Sequence, residues 1–384
     1  MSVLQAAEPG GQMRIDWIRD LSKVESLRDL WVALENEVQH RTLYSRYDYV
    51  LPWYHCYVGT PMTDGGRPLV GMAWEDGELI GIAPMIEAHA TFAKIPVRRV
   101  DCAGYNLSAG ELLMRDHHEG LIEAFVYSLR DELDFEVIDI NGLPLQSEES
   151  RHLHSHLRDH KVPVANMEYH WYAVADLSNG YDAYAKAKSS NFRKQTRKIA
   201  RKVETGHDVQ IERVTTLGDL SYAHSMRDRM FAIAERSWRT KRAGLEVERR
   251  HQQFYRELVD IFGSQDALDL AILVIDGRDA AFSLGLIERQ TYYHTMIGYD
   301  DEMGDRSPGT YLLQEVFKYL PASGVSSVMS HGPYDYKKRW ASEVIAQQTV
   351  CVFGHDLRAR LAHWVGTKLA RRLQSHREAA AADR

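Results

Sequence analysis

The sequence predicts an α+β protein built as two similar halves, and three observations support this. Helical spacing of apolar residues alternates with short, strand-like apolar runs along the whole chain. The order helix, strand meander, helix, strand occurs twice. Each meander turns on an Asp-Gly pair, Asp76-Gly77 or Asp276-Gly277, the dipeptide that suits a tight hairpin. A chain of 384 residues can bury two or three separate cores, so two α+β domains side by side are expected.

Taken in order, residues 1–12 are small, polar and Gly-containing and read as a disordered leader. The first domain spans 13–145. Leu27, Leu30, Trp31, Leu34 and Val38 lie on one helix face. After the aromatic stretch Tyr44–Tyr57, which Pro52 punctuates, two strands flank Asp76-Gly77. A strand at Val97–Ala103, a helix at His118–Leu133 and a strand at Phe135–Ile140 follow. Residues 146–168, polar and His-rich, read as a connecting helix or linker between the halves. The second domain spans 169–355. It opens with a strand at Trp171–Ala175, a single basic helix at about Tyr181–Val203 and a strand at Val209–Val214. Helices at Leu217–Trp238 and Val247–Phe262 precede a three-strand meander ending at Asp300. Ser307-Pro308-Gly309 opens a helix to Leu320, Gly324 caps it, and Val325–Met329 is a strand. Residues 356–384 form a C-terminal helix and tail.

Lys+Arg 47 against Asp+Glu 54 gives a formal charge of −7, so no overall basic field draws in nucleic acid or anionic lipid, and any anion site is local. Three scattered cysteines make neither a disulfide framework nor a metal knuckle and suit a reducing cytoplasm. No export signal or run long enough to span a membrane is apparent. Gly-x-Ser-x-Gly, His-Glu-x-x-His and P-loop patterns are absent, which removes support for serine hydrolases, zincins and P-loop NTPases.

Three segments could carry chemistry. The Ser307-Pro308-Gly309 turn offers free N–H groups and a helix dipole to an anion such as pyrophosphate, with Arg306 adding charge; the alternative is a plain helix start. Ser330–Trp340 gathers one carboxylate, two phenols, three cations and an imidazole after a strand, where a lysine could neutralise an oxyanion; the alternative is a solvated turn. Between Tyr181 and Lys202, eight basic residues face Asp182 alone. Arg193, Arg197 and Arg201 form one ridge, which suits either a phosphate-bearing ligand or a solvated face. His152, His156 and His160 share a helix face but lack companion ligands, so a polar linker helix is expected and no metal.

The segments SSNFRKQTRKIARKVETG, AERSWRTK, GRDAAFSLGL, YDDEMGDRSPGTYLL and GPYDYKKRW resemble, in order and spacing, the C-terminal half of the CelD-like, FemAB-related acyltransferases of the GNAT superfamily. The first half matches more loosely, through the helix around Trp31, the stretch ending in Trp53 and the LIGIAPM strand. The resemblance implies two tandem GNAT-like domains with mixed, largely antiparallel sheets, the second catalytic, the first degenerate and helping to form the acceptor cleft. It places Tyr336-Lys337 at the family's Tyr-Lys pair and Asn191, Arg193 and Arg197 at its Asn-x-Arg signature. The superfamily's Gly-rich pyrophosphate loop is reduced here to Arg306-Ser307-Pro308-Gly309-Thr310.

The implied reaction is acyl transfer from an acyl-CoA-type thioester to an amine, possible without a covalent intermediate and so without a nucleophilic cysteine. Asp335 and His294 are candidates for general base, and Lys337 for oxyanion or carboxylate contact. Arg306, Ser307, Gly309 and Thr310 are assigned to donor phosphate, and Asn191, Arg193, Arg197, Trp238, Tyr299 and Tyr336 to substrate. No tightly bound cofactor is expected, acyl-CoA being a co-substrate. The acceptor would be an amine-bearing small molecule or a glycan or peptide precursor, in a cell-envelope or exopolysaccharide context, and DNA is not expected. The alternatives are a FemX-like, aminoacyl-tRNA-dependent transferase and a non-catalytic binding protein of the same fold.

Overall fold

The computed structural model describes residues 13–104, 111–115, 120–218, 220–237, 245–332 and 334–368, with the backbone alone at 167–169 and 245–248. The chain divides into two units, Met1–His170 with Ala346–Arg384, and Trp171–Ile345. The expected leader 1–12 and the tail beyond 368 lie outside the described residues, as does Trp238.

The first unit holds strands β1 Arg14–Ile18, β2 Arg67–Glu75, β3 Glu78–Phe92, β4 Ile95–Cys102, β5 Leu113–Met114 and β6 Val137–Pro144. Its helices are α1 Leu21–Glu25, α2 Arg28–Glu37, α3 Tyr47–Tyr57, α4 Leu121–Tyr127 and α5 Glu148–Asp159. β1 to β4 pair in sequence, all antiparallel; β4 then pairs with β6 in parallel. Pro52 sits inside α3 without ending it. Tyr47, Tyr49, Trp53, Tyr54 and Tyr57 are all buried around it, and their packing outweighs the lost backbone bond.

Two sequence expectations change here. Residues 146–168 do hold a helix, but one built into the first unit and not a linker: α5, capped by Ser147 accepting from the Ser150 N–H at 3.1 Å, sends Leu153 and Leu157 into that unit's core. Its histidines make contacts within the unit, His152 to Glu123 at 3.0 Å and His156 stacked on His160 at 4.2 Å. The second domain also does not run to 355. From Ala346 the last strand belongs to the first unit, where Val350 to Phe353 pair antiparallel with Ile140 to Val137. Helical residues 357–368 follow, with Ala359 and Ala362 packed on Phe92 and Phe353.

The second unit contains the Trp171–Asp176 part of β7 (Val164–Asp176), then β8 Val209–Val214, β9 Leu268–Ile275, β10 Arg278–Glu288, β11 Thr291–Tyr299 and β12 Ser327–His331. The sheet order is β7-β12-β11-β10-β9-β8, antiparallel except for the parallel pair β11–β12. It repeats the first unit's order, with β11–β12 standing where β4–β6 stand there. The helices are α6 Gly180–Ala187, α7 Ser190–Glu204, α8 Leu220–Glu235, α9 Leu245–Gly263, α10 Pro308–Tyr319 and α11 Tyr336–Trp340. The single basic helix expected at 181–203 is therefore two. Ser189 Oγ accepts from the Phe192 N–H at 3.2 Å and starts α7 afresh, a capping role that serine fills better than a helix interior. Tyr184, Val203, Tyr292, Leu312, Phe317, Val328 and Trp340 form the core of this unit.

Candidate active site

The two parallel strands of the second unit fork. β11 and β12 are paired only over Thr291–Tyr293 and Ser327–Met329, although β11 continues along β10 to Tyr299 and β12 along β7 to His331. His294 and Ser330 are the first residues beyond the last pair. Both are buried, and His294 Nδ1 lies 3.4 Å from Ser330 Oγ. A bulge marks the same place: Leu284 and Gly285 of β10 oppose Met296 and His294, so Thr295 is the extra residue, its hydroxyl donating to the Leu284 carbonyl at 3.0 Å. Bulges of this kind re-aim neighbouring side chains. Gly285 is required here, since a Cβ would stand 2.0 Å from the Tyr292 ring, which in turn lies near-parallel to His294 with centroids 6.2 Å apart.

The fork opens on a narrow pocket lined by His294, Ser330, Tyr336, Lys337 and Trp340, with Leu313 and Phe317 of α10 closing the apolar side. Three residues nominated from sequence, His294, Tyr336 and Lys337, thus meet in one place. The Lys337 ammonium donates to the His331 carbonyl, tying α11 to the end of β12. Asp335 is not among them. It precedes α11, its side chain is 87% exposed, and it pairs with Lys338 at 2.9 Å. The general-base role expected for it has no geometric support, and Asp335→Asn is expected to leave kcat within about twofold, as for other exposed ion pairs. A tenfold loss would return Asp335 to the chemistry.

Sequence reasoning gave Ser330 no role and did not single out Lys188. That lysine is half-buried between the Tyr184 and Phe192 rings, its ammonium donates to the carbonyl of Ala341 beside the pocket, and burial pushes its pKa down to about 8.

The start of α10 lies one helical turn from Leu313, roughly 6 Å along the axis. Ser307 holds a left-handed φ of 56°, its N–H goes to the Gly304 carbonyl, and the Thr310 N–H returns to Ser307. Pro308 has no N–H, which leaves the Gly309 N–H as the donor of this turn. The anion site predicted across Ser307, Gly309 and Thr310 therefore narrows to one N–H and the helix dipole. Gly309 sits against Tyr299, where a Cβ would find the ring at 3.4 Å. Arg306 reaches Asp276 at 4.0 Å. Behind the turn, Asp300 is fully buried. Burial alone would raise its pKa, yet Arg278 at 2.6 Å, the Glu302 N–H and Arg236 at 2.9 Å hold it below the usual carboxylate range.

α7 packs along α10 and is basic from end to end. Lys202 donates to the Asp305 carbonyl at the α10 turn, while Phe192, at the other end, meets the Trp340 ring edge-on at 5.1 Å. Arg193 bonds the Lys186 and Lys188 carbonyls and so closes α6; its substrate role is replaced by a structural one. Asn191 and Arg197 are exposed, with Arg197 Nε donating to the Arg193 carbonyl at 3.2 Å.

The first unit closes its equivalent fork. Arg99 on β4 binds Asp139 on β6 at 2.6 Å and Asp101 at 3.0 Å, Asn141 donates to Asp101 at 3.2 Å, and Thr349 donates to Asn141 at 2.7 Å. A larger cavity in that unit is lined by His40, Thr42, Glu111, Glu123 and His152. Glu111 accepts from Thr42 and is pushed up to about 7 by burial. None of the nominated residues lines it, and it has no forked strand pair.

Residues 190–338 match the family model of the acetyltransferase (GNAT) domain. No curated protein matches the chain. Among solved structures the chain is similar to FemX, with a TM-score of 0.55 and 9% identity over 91% of this chain and 100% of that one. It is also similar to the C-terminal domain of a putative lysylphosphatidylglycerol synthetase from Agrobacterium fabrum, with a TM-score of 0.52 and 11% identity over 89% and 95% of the two chains. A conserved protein of unknown function from Bacteroides thetaiotaomicron gives 0.51 and 11% over 88% and 100%. At these identities the likeness is one of fold. Residues 190–338, within the second unit, thus match a GNAT acetyltransferase domain, and the chain as a whole shares the fold of FemX.

Proposed function

We propose that this chain is an N-acyltransferase that moves an acyl group from an acyl-CoA-type thioester to an amine, with the chemistry at the fork of β11 and β12. The observation that carries this reading is the parting of two parallel strands beside His294, Ser330 and Lys337. An extended, amide-bearing donor arm would lie where the two strands part, in the manner of an added strand. Its thioester carbonyl would then lie near a cation and an imidazole.

The amine nitrogen attacks the carbonyl carbon, the new C–N bond forms, and negative charge gathers on the carbonyl oxygen near Lys337. His294 takes the proton from the attacking nitrogen. The C–S bond breaks as the carbonyl reforms, and the leaving thiolate takes the proton back from His294, so that a neutral thiol departs and the imidazole is regenerated. Donor phosphates would lie by Gly309 and the exposed basic side chains of α7, in accord with the net charge of that helix. The ion-paired fork of the first unit supports a donor site in the second unit alone. An envelope or exopolysaccharide role belongs to the same proposal through the CelD-like resemblance.

The test is to offer the protein acetyl-CoA and longer acyl-CoAs with amino sugars, amino acids and short peptides, and to follow thiol release and product mass. Product from aminoacyl-tRNA and from no acyl-CoA would move the reading to a FemX-like transferase; product from neither would make the chain a binding protein. Gly309→Val is expected to weaken coenzyme A binding about tenfold by shielding the N–H at the α10 start. Gly309 is buried, so Gly309→Ala, whose Cβ makes ordinary contact with Tyr299, is the companion variant expected to hold the melting temperature. Unchanged affinity by calorimetry would remove the phosphate site from this turn.

A further inference from the structure

The helical residues 357–368 have two apolar faces. One is buried: Ala359 and Ala362 pack on Phe353 and Phe92, and a Cβ on Gly366 would stand 3.2 Å from both rings. The opposite face is bare, with Leu357 81%, Leu361 50% and Trp364 57% exposed at the i, i+4, i+7 spacing of one stripe. Three such residues on one helix are more than scattered surface apolars.

The rim of this stripe is cationic. Arg358 and Arg360 are exposed beside it, Arg358 reaching Glu136 at 4.0 Å, and the Lys368 ammonium sits over the Trp364 ring, 3.5 Å from its centroid. A cation so placed is held by the face of the ring and adds positive charge at the edge of the stripe. From Leu357 to Arg377 the sequence has six Lys/Arg residues (Arg358, Arg360, Lys368, Arg371, Arg372, Arg377) and no Asp or Glu, in a chain whose net charge is −7. Leucine and tryptophan on the outer face, with arginine and lysine at the border, suit the headgroup layer of a membrane. There the apolar side chains enter the acyl boundary and the cations meet lipid phosphates.

We propose that the outer face of helix 357–368 docks this chain peripherally on an anionic bilayer surface, the charge of its rim selecting the lipid and Leu357, Leu361 and Trp364 inserting. It requires no membrane span, and no helix among the described residues is long and apolar enough to cross a membrane.

The test uses the full chain in co-sedimentation with vesicles of phosphatidylcholine alone and with about 30% phosphatidylglycerol. Sedimentation is expected with the anionic vesicles only and should weaken as salt rises. The triple variant Leu357→Ser, Leu361→Ser, Trp364→Ser should bind about tenfold or more weakly with an unchanged melting curve, since these side chains are exposed. If that variant does not fold, Arg358→Gln with Arg360→Gln serves instead and should also reduce anionic binding. Absence of sedimentation with either vesicle, or equal sedimentation by wild type and variants, would overturn the proposal. So would light scattering that shows a dimer lost in the same variants without vesicle binding, which would assign the face to a second copy of the chain.

Discussion

Lys337→Met is expected to lower kcat by about 10²-fold or more while changing coenzyme A affinity little, because a cation that meets charge developing only in the transition state acts on rate and not on ground-state binding. The expectation rests on position: Lys337 lines the same pocket as His294 and Ser330, at the end of β12 where the parallel strands have parted. Methionine keeps most of the length of the side chain, so the apolar contacts of α11 survive while the bond to the His331 carbonyl is lost. The measurement is steady-state kinetics on the best thioester and amine pair, with donor binding followed separately by calorimetry. A raised KM for the amine at nearly unchanged kcat would instead make Lys337 an anchor for an acceptor carboxylate.

Asp139→Ala is expected to destabilise the first unit by about 3 kcal/mol, the low end for breaking a buried pair. Asp139 is fully buried, and its partner Arg99 is 28% exposed and also holds Asp101. Burial works against the Arg99 charge, but the two carboxylates outweigh it and keep the guanidinium protonated well above its ordinary pKa. Removing Asp139 takes away the larger share of that support. Urea unfolding should show a lower midpoint at unchanged slope. A loss below about 1 kcal/mol would mean that the cluster behaves like a surface pair and does not seal the fork of that unit.

Much of this architecture was legible in local sequence because local rules act within a few residues. The two Asp-Gly hairpins, the Pro308 helix start and the Gly324 cap are matters of backbone dihedral preference, and the structure has Asp276 at φ 52° and Gly277 at φ 74° as such a turn requires. The break at Ser189 was also written locally, as a serine able to cap, but a continuous helical spacing on either side concealed it. Lys188 could not be told from its seven basic neighbours, since burial between Tyr184 and Phe192 depends on the fold of α6 against α7.

The sequence by itself determined the α+β class, the repeated order of elements and the Ser330–Trp340 segment as a place dense in chemistry. Only the tertiary structure decided which of those groups share a pocket. Asp335 and Lys337 are two residues apart, and where the chain turns into α11, side chains at that spacing point in widely different directions, so one reached solvent and the other the fork. The fork itself is a fact of register between strands 36 residues apart, visible in the pairing of Tyr293 with Met329 and in the lack of any pair beyond it. The return of Ala346–Phe353 to the first unit is of the same kind. An apolar strand states that it must pair, because its backbone groups cannot be buried unbonded, but it does not state with which edge.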